Sequence, residues 1–148
     1  MKINYREIIK SVEALDIRFP TSLQQDGSDA VHTDPDYSAA YVIITTESGK
    51  KGYGMTFTLG RGTNIVCTAI DTMKFLLENK SLDDIYGNFS SFWRQLTSEP
   101  QLRWLGPEKG VIHLATSAIT SALFDLWGRL EKKPVWKLLT DMTPEVSY

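Results

Sequence analysis

Between Leu59 and Val66 the chain changes its hydrophobic period, and this change constrains most of what it can fold into. Before it, apolar residues alternate: Tyr53, Met55, Phe57 and Leu59 fall on one side, Gly54, Thr56 and Thr58 on the other. After it, they recur every third or fourth position, at Val66, Ala69, Ile70, Met73, Leu76 and Leu77. Alternation marks a half-buried strand, and three-to-four spacing marks one face of a helix. Strands first and helices second predict an α+β domain whose sheet buries one face against helices.

Two further strands precede the change. Residues 11–19, "SVEALDIRF", end in alternation at Leu15, Ile17 and Phe19. Residues 37–47, "YSAAYVIITTE", are rich in β-branched and aromatic residues, which suit a pleated, half-buried surface. The short turn "SGKKG" joins this strand to residues 53–59 as an antiparallel hairpin, and the first strand completes a three-stranded sheet. Downstream, Thr63 is the expected N-cap of a helix over 64–79. Ser81 and Asp84 form a capping-box variant opening a second helix that carries Leu82, Ile85, Tyr86, Phe89, Phe92, Trp93 and Leu96. Residues 97–110 connect to a third helix over 111–131. Its charges appear only from Asp125 onward, so it is expected to be buried on most sides. "KKPVWKLL" then reads as a helix stop and a short amphipathic turn opened by Pro134.

A chain of 148 residues fits one domain and is long enough to bury a real core. A net charge of −2 leaves no basic footprint for nucleic acid. No apolar run approaches the roughly 18 residues of a membrane span, and no Lys/Arg cluster suggests a membrane surface. Cys67 is the single cysteine, which excludes an internal disulfide and a cysteine-built zinc site. An intracellular setting is expected, cytoplasmic first, with a mitochondrial one left open. The first residues do not read as a secretory signal.

The segment that composition does not explain is residues 19–37, "FPTSLQQDGSDAVHTDPDY". Loops this long inside a compact domain are functional or disordered. Asp26, Asp29, His32, Asp34 and Asp36 raise a metal site, but their spacing is not that of an EF-hand, and Asp, Gly and Pro serve turns equally well. "LGRGTN" places two glycines and Arg61 before a helix start, where anions bind; the favoured reading is a strand-to-helix turn that needs glycine. Trp104, in "QLRWLGPEKG", would suggest a partner surface if exposed, and burial under the helices is the favoured reading. His113 is expected to be a packed histidine. Asp125 either pairs with Arg129 at i+4 or lies on a solvated face. No Ser-His-Asp set, HExxH or CxxC is present.

Four strings taken together, "IRFPTS…DGSDAVHTDPDYSAAYV", "GYGMTFTLGRG", "QLRWLGPEKGVIHLA" and "DLWGRLEKKPVWKLL", resemble the N-terminal region of the L-fuconate dehydratase group of the enolase superfamily. The likeness runs from about residue 10 to the end of the chain. It implies a capping domain over residues 1–139, a three-stranded antiparallel sheet followed by a bundle of three to four helices, with 140–148 where a (β/α) barrel would begin. Such a barrel takes about 250 residues, so none is encoded here, and no catalytic residue and no metal ligand is expected in this chain. In the complete family enzyme Mg²⁺ supports dehydration of an acid sugar; none is expected to be bound by this chain. The resemblance implies substrate contacts at Gly27, Ser28, Asp29 and Tyr37 in the first loop, with Thr58 and Arg61 as weaker candidates in the second. It implies as partners an acid-sugar substrate, held only with a barrel opposite, and either a second copy of the chain or a barrel. The alternative reading is a free-standing binding or oligomerisation module that has lost catalysis. In the absence of a barrel, the loop is expected to be the most mobile part of the domain or to be ordered by another subunit.

Overall fold

The computed structural model describes residues 5–106 and 108–142. Strands β1 (Ile9–Arg18), β2 (Ser38–Thr46) and β3 (Lys51–Thr58) form one antiparallel sheet in the order β1-β2-β3. Leu15, Tyr41 and Met55 stand in one row across it, and Ile17, Ala39 and Phe57 in the next. Helices α1 (Thr63–Met73), α2 (Leu82–Gly87), α3 (Phe89–Thr97), α4 (Val111–Glu131) and α5 (Val135–Thr140) follow. This is the expected α+β cap. The part of the 140–148 segment beyond residue 142 lies outside the described residues.

The helices cover only one face of the sheet. Val12 of β1 and Val42 and Ile44 of β2 are buried against Val66, Ile70 and Met73 of α1 and Ile119, Leu123 and Leu126 of α4. On β3 the covered side is the one with glycine and threonine. A Cβ placed on Gly54 would lie 2.2 Å from the Ala118 carbonyl oxygen and 2.3 Å from the Ala122 amide nitrogen. One on Gly52 would lie 2.3 Å from the Ala122 carbonyl oxygen. The α4 backbone therefore rests directly on β3, made possible by glycines on the strand and by Ala115, Ala118 and Ala122, all fully buried, on the helix. This close seat accounts for the long apolar run of α4. The opposite side of β3 is open, with Met55 44% and Phe57 54% exposed.

Three local expectations are corrected. The helix expected to run through residues 82–96 is two helices, because Asn88 leaves helical geometry (φ −148°, ψ 67°) and its Oδ1 accepts from the Ser91 N–H at 3.1 Å, capping α3. Thr63 does not cap α1: it is the first helical residue, is buried, and its hydroxyl donates to the Gly60 carbonyl at 2.6 Å. Trp104 is 74% exposed rather than buried; its indole N–H donates to the Gln101 carbonyl in a tight turn. Ser81 caps α2 by accepting from the Asp83 N–H, and it is the Asp83 carboxylate that reaches further, accepting from the Tyr5 N–H. Tyr86 stacks on Trp127 at 5.0 Å and donates to the Leu123 carbonyl at 2.7 Å, which ties α2 to α4. Burial pushes the Tyr86 phenol far above its ordinary pKa.

Candidate loop site at the open end of the sheet

The long loop leaves β1 at Phe19 and makes one short 3₁₀ turn, Thr21–Gln24. Gln25 and Gly27 then take left-handed geometry (φ 58° and 72°), which turns the chain back on itself. At Gly27 any side chain is excluded, since an added Cβ would lie 2.0 Å from Tyr37 Oη. Tyr37 donates from Oη to the Gly27 carbonyl at 3.2 Å and sets its ring edge-on to Phe57 at 5.4 Å. Two of the residues singled out by resemblance, Gly27 and Tyr37, are thus in contact.

Ser28 and Asp29 differ in what they have to offer. Asp29 Oδ1 accepts from the Val31 and His32 N–H groups, each at 2.7 Å, and Oδ2 lies 3.3 Å from His32 Nδ1. Those backbone donors, His32 first and then Val31, hold its carboxyl below the usual carboxylate range. A carboxylate has about four acceptor sites, so Asp29 retains little free capacity. Ser28 is the reverse case: its hydroxyl is buried and has no partner among the described residues.

The second loop, between β3 and α1, lies beside the first. Thr58 is buried and its hydroxyl is shared with Thr63 at 2.7 Å, so it braces the turn instead of facing outward. Arg61 has a side chain 90% exposed and donates to Asp34 at 3.0 Å, so it reaches the first loop but not the Gly27–Asp29 segment. Gly60 has φ 108°, and a Cβ there would come 3.0 Å from the Asp36 Cβ. Gly62, with an ordinary φ of −89°, faces open space.

Sequence reasoning missed the residues that close the loop. Asp36 accepts from the Ser22 N–H at 3.2 Å and the Ser22 hydroxyl at 2.7 Å, while its own N–H donates to the Leu59 carbonyl at 3.4 Å. The Ser22 hydroxyl is the leading cause that keeps the Asp36 carboxyl low. Thr21 Oγ1 donates to the Pro35 carbonyl and accepts from the Tyr37 N–H, both at 2.9 Å. The signal was present as "PTS" entering the loop and "DPDY" leaving it, since short polar residues next to proline bond locally to the backbone. These bonds tie the loop within its own chain.

The loop acids do not make a magnesium site. Asp29 serves its own turn, Asp34 pairs with Arg61 and Asp36 binds Ser22. Among the described residues no three His, Cys, Asp or Glu side chains converge as a metal would need. Elsewhere, His113 packs against the Trp93 ring at 6.2 Å, and Asp125 pairs with Arg129 at 2.7 Å while also accepting from the Tyr53 N–H at 2.9 Å.

Residues 17–140 match the model of the mandelate racemase / muconate lactonizing enzyme N-terminal domain. The chain is 58% identical over 140 residues to mitochondrial enolase superfamily member 1 of Homo sapiens, covering 93% of this chain and 32% of that protein. The crystal structure of that human protein superposes with a TM-score of 0.90 over 95% of this chain. L-galactonate dehydratase of Hypocrea jecorina is 50% identical over 137 residues, 93% of this chain and 30% of its own length. A racemase from Streptomyces coelicolor A3(2), solved with bound magnesium, shares 27% identity, a TM-score of 0.77, and 93% of this chain against 36% of its own. The chain thus spans about a third of the length of the relatives it matches.

Proposed function

The chain belongs to the mandelate racemase / muconate lactonizing enzyme N-terminal domain family of the enolase superfamily, and from that membership we propose that it is the substrate-capping and specificity unit of an acid-sugar dehydratase of the L-fuconate type. The observation that carries the reading is the 50% identity, over 93% of the chain, to a protein named L-galactonate dehydratase. In such a reaction a proton α to the carboxylate is removed and a hydroxyl is expelled, so that water is lost and a 2-keto-3-deoxy acid remains. Magnesium is the family's cofactor for that step. Among the described residues no cluster of ligands converges to hold it, and the share proposed for this chain is to bind, orient and shield the sugar.

Within that share, the Ser28 hydroxyl has no existing bond to lose, but it is buried and would have to turn outward before it met a sugar hydroxyl. Asp29 keeps little acceptor capacity beside it, and the Tyr37 hydroxyl, which lies over Gly27, would have to leave the Gly27 carbonyl before it donated to a sugar. Arg61 would have to leave Asp34 before it met a substrate carboxylate. A barrel opposite these loops completes the site, and the chain is catalytically incomplete without one. The relatives named as mitochondrial support an intracellular setting.

The test is to supply the barrel. The chain joined to the portion of the human relative that follows the matched region should dehydrate L-fuconate or L-galactonate when magnesium is present, and Ser28→Ala should raise KM. A folded chimera that turns over neither sugar would refute the reading. A second reading, a free-standing oligomerisation module without catalysis, draws on the open apolar side of β3, where Met55 and Phe57 stand exposed. Sedimentation of the purified chain over a range of concentrations separates the two: a monomer throughout counts against the module.

A further inference from the structure

We infer that the two loops at the end of the sheet form one mechanical unit, with Asp36 and Gly60 as its joint, and that Asp36 is a positioning residue for the Gly27–Asp29 segment. The functional meaning of this joint rests on the capping reading above; its existence does not. The bonds form a closed ring. Asp36 holds Ser22, whose 3₁₀ turn continues through Thr21, the carbonyl of which accepts from the Asp26 N–H at 3.1 Å. Gln25 then accepts from the Ser28 N–H at 3.1 Å, and Gly27 accepts from Tyr37 Oη. Tyr37, next to Asp36 in sequence, returns through its N–H to Thr21 Oγ1.

The second loop enters this ring at one place. The Asp36 N–H donates to Leu59, and the Asp36 Cβ occupies the space that a side chain at Gly60 would take. Gly60 is doubly constrained, by its φ of 108° and by that contact. The exposed Arg61–Asp34 pair adds little, because both partners are solvated. A side chain at Gly60 therefore presses on Asp36 by a few tenths of an ångström, and Ser22 and Tyr37 pass that shift to the segment with the candidate sugar contacts. Selectivity then belongs to the pair of loops, and neither loop can be retuned alone.

Amide hydrogen exchange on the 148-residue chain tests this directly. Asp36→Ala should speed exchange at Ser22, Asp26, Ser28 and Asp29 by about tenfold or more, while Val42 and Ile44 keep their protection. Asp36→Asn should restore slow exchange, because a carboxamide oxygen still accepts from Ser22; a merely packed side chain would show no such rescue. Gly60→Ala should speed exchange at Ser28 and Asp29, although no residue of the first loop has changed. Gly62→Ala, facing open space, should leave both loops as they were. The joint is refuted if the effects of Gly60→Ala stop at residues 59–63, or if Asp36→Ala leaves Ser28 and Asp29 protected. Because no substrate enters the measurement, the joint can fail while the dehydratase reading stands, and the reverse.

Discussion

The two faces of β3 have opposite chemistry from what burial alone would assign. The side pressed against α4 carries Gly52, Gly54, Thr56 and Thr58; the side left open carries Tyr53, Met55 and Phe57. Transfer of apolar area would favour the reverse arrangement at about 25 cal/mol per Å². What decides instead is distance. With no side chain at Gly52 and Gly54, the α4 backbone approaches until each missing Cβ would sit within 2.3 Å of a backbone atom. That approach brings Val42 and Ile44 of the neighbouring strand into full contact with Ile119, Leu123 and Leu126. A close seat for one helix thus sets which side of this edge strand is inside.

The strongest way to break this contrast is to add a side chain at the seat. Gly54→Val should cost about 4 kcal/mol or more, because the atoms in the way are backbone and cannot rotate aside. Chemical denaturation should find the variant largely unfolded, and Gly62→Val at the open turn should be mild by comparison. Equal effects at the two glycines would show that the close approach of α4 is not what orders the sheet.

The next test compares adjacent residues of β2. Ile44 is fully buried against the helices, while Ile43 points to the open face. Ile44→Ala should cost about 3 kcal/mol through lost contacts and a residual cavity. Ile43→Ala should cost about 1 kcal/mol or less. If the two costs converge in denaturant titrations, the open face is covered in solution, and the oligomerisation reading gains support.

These contrasts mark what was legible in the sequence. Alternation placed β1 and β3, β-branched and aromatic composition placed β2, and the three-to-four period placed α4. The sign of the β3 face was not legible, since alternation gives two sides and does not say which is inside. Nor was the break at Asn88, where helical spacing of Tyr86, Phe89 and Phe92 runs straight through a capping residue. At the loops, resemblance nominated Gly27, Ser28, Asp29 and Tyr37, but the bonds of Asp36 to Ser22 span 14 residues and have no periodic trace. The bond between the Thr58 and Thr63 hydroxyls, the second of which donates on to the Gly60 carbonyl, likewise leaves no periodic mark in the sequence.

A smaller effect is expected at the edge between the faces. Asp125 of α4 accepts from the Tyr53 N–H on the free side of β3 and from Arg129 Nε, so one carboxylate satisfies a strand edge and holds a helix to it. Asp125→Ala should cost about 1–2 kcal/mol by leaving that N–H without its partner. Asp125→Asn should recover part of the loss. Arg129→Ala, which removes only the exposed ion pair, should cost less than about 1 kcal/mol. An Arg129 effect as large as that of Asp125 would mean that the ion pair, and not the capped strand edge, is what matters.

The smallest difference is the response to acid. On the covered side the buried polar groups of β3 and α1 are threonine hydroxyls, which do not titrate. At the loop end, Asp36 and Asp29 are held below their ordinary values by the Ser22 hydroxyl and by the His32 and Val31 amides. A carboxyl lowered in the folded state contributes stability that is complete above its unfolded pKa of about 3.9 and is lost as pH falls through the folded value. Between neutral pH and about 5 neither the Asp36 nor the Asp29 carboxylate should gain a proton. Below about 4 the amide resonances of Ser22, Val31 and His32 should move as their acceptors protonate, while those of Val42 and Ile44 stay fixed until global unfolding. Asp36→Asn should abolish the Ser22 transition and leave the one at Val31. Simultaneous movement of loop and core amides would mean that the loops melt with the sheet and are not a separately anchored layer on its open end.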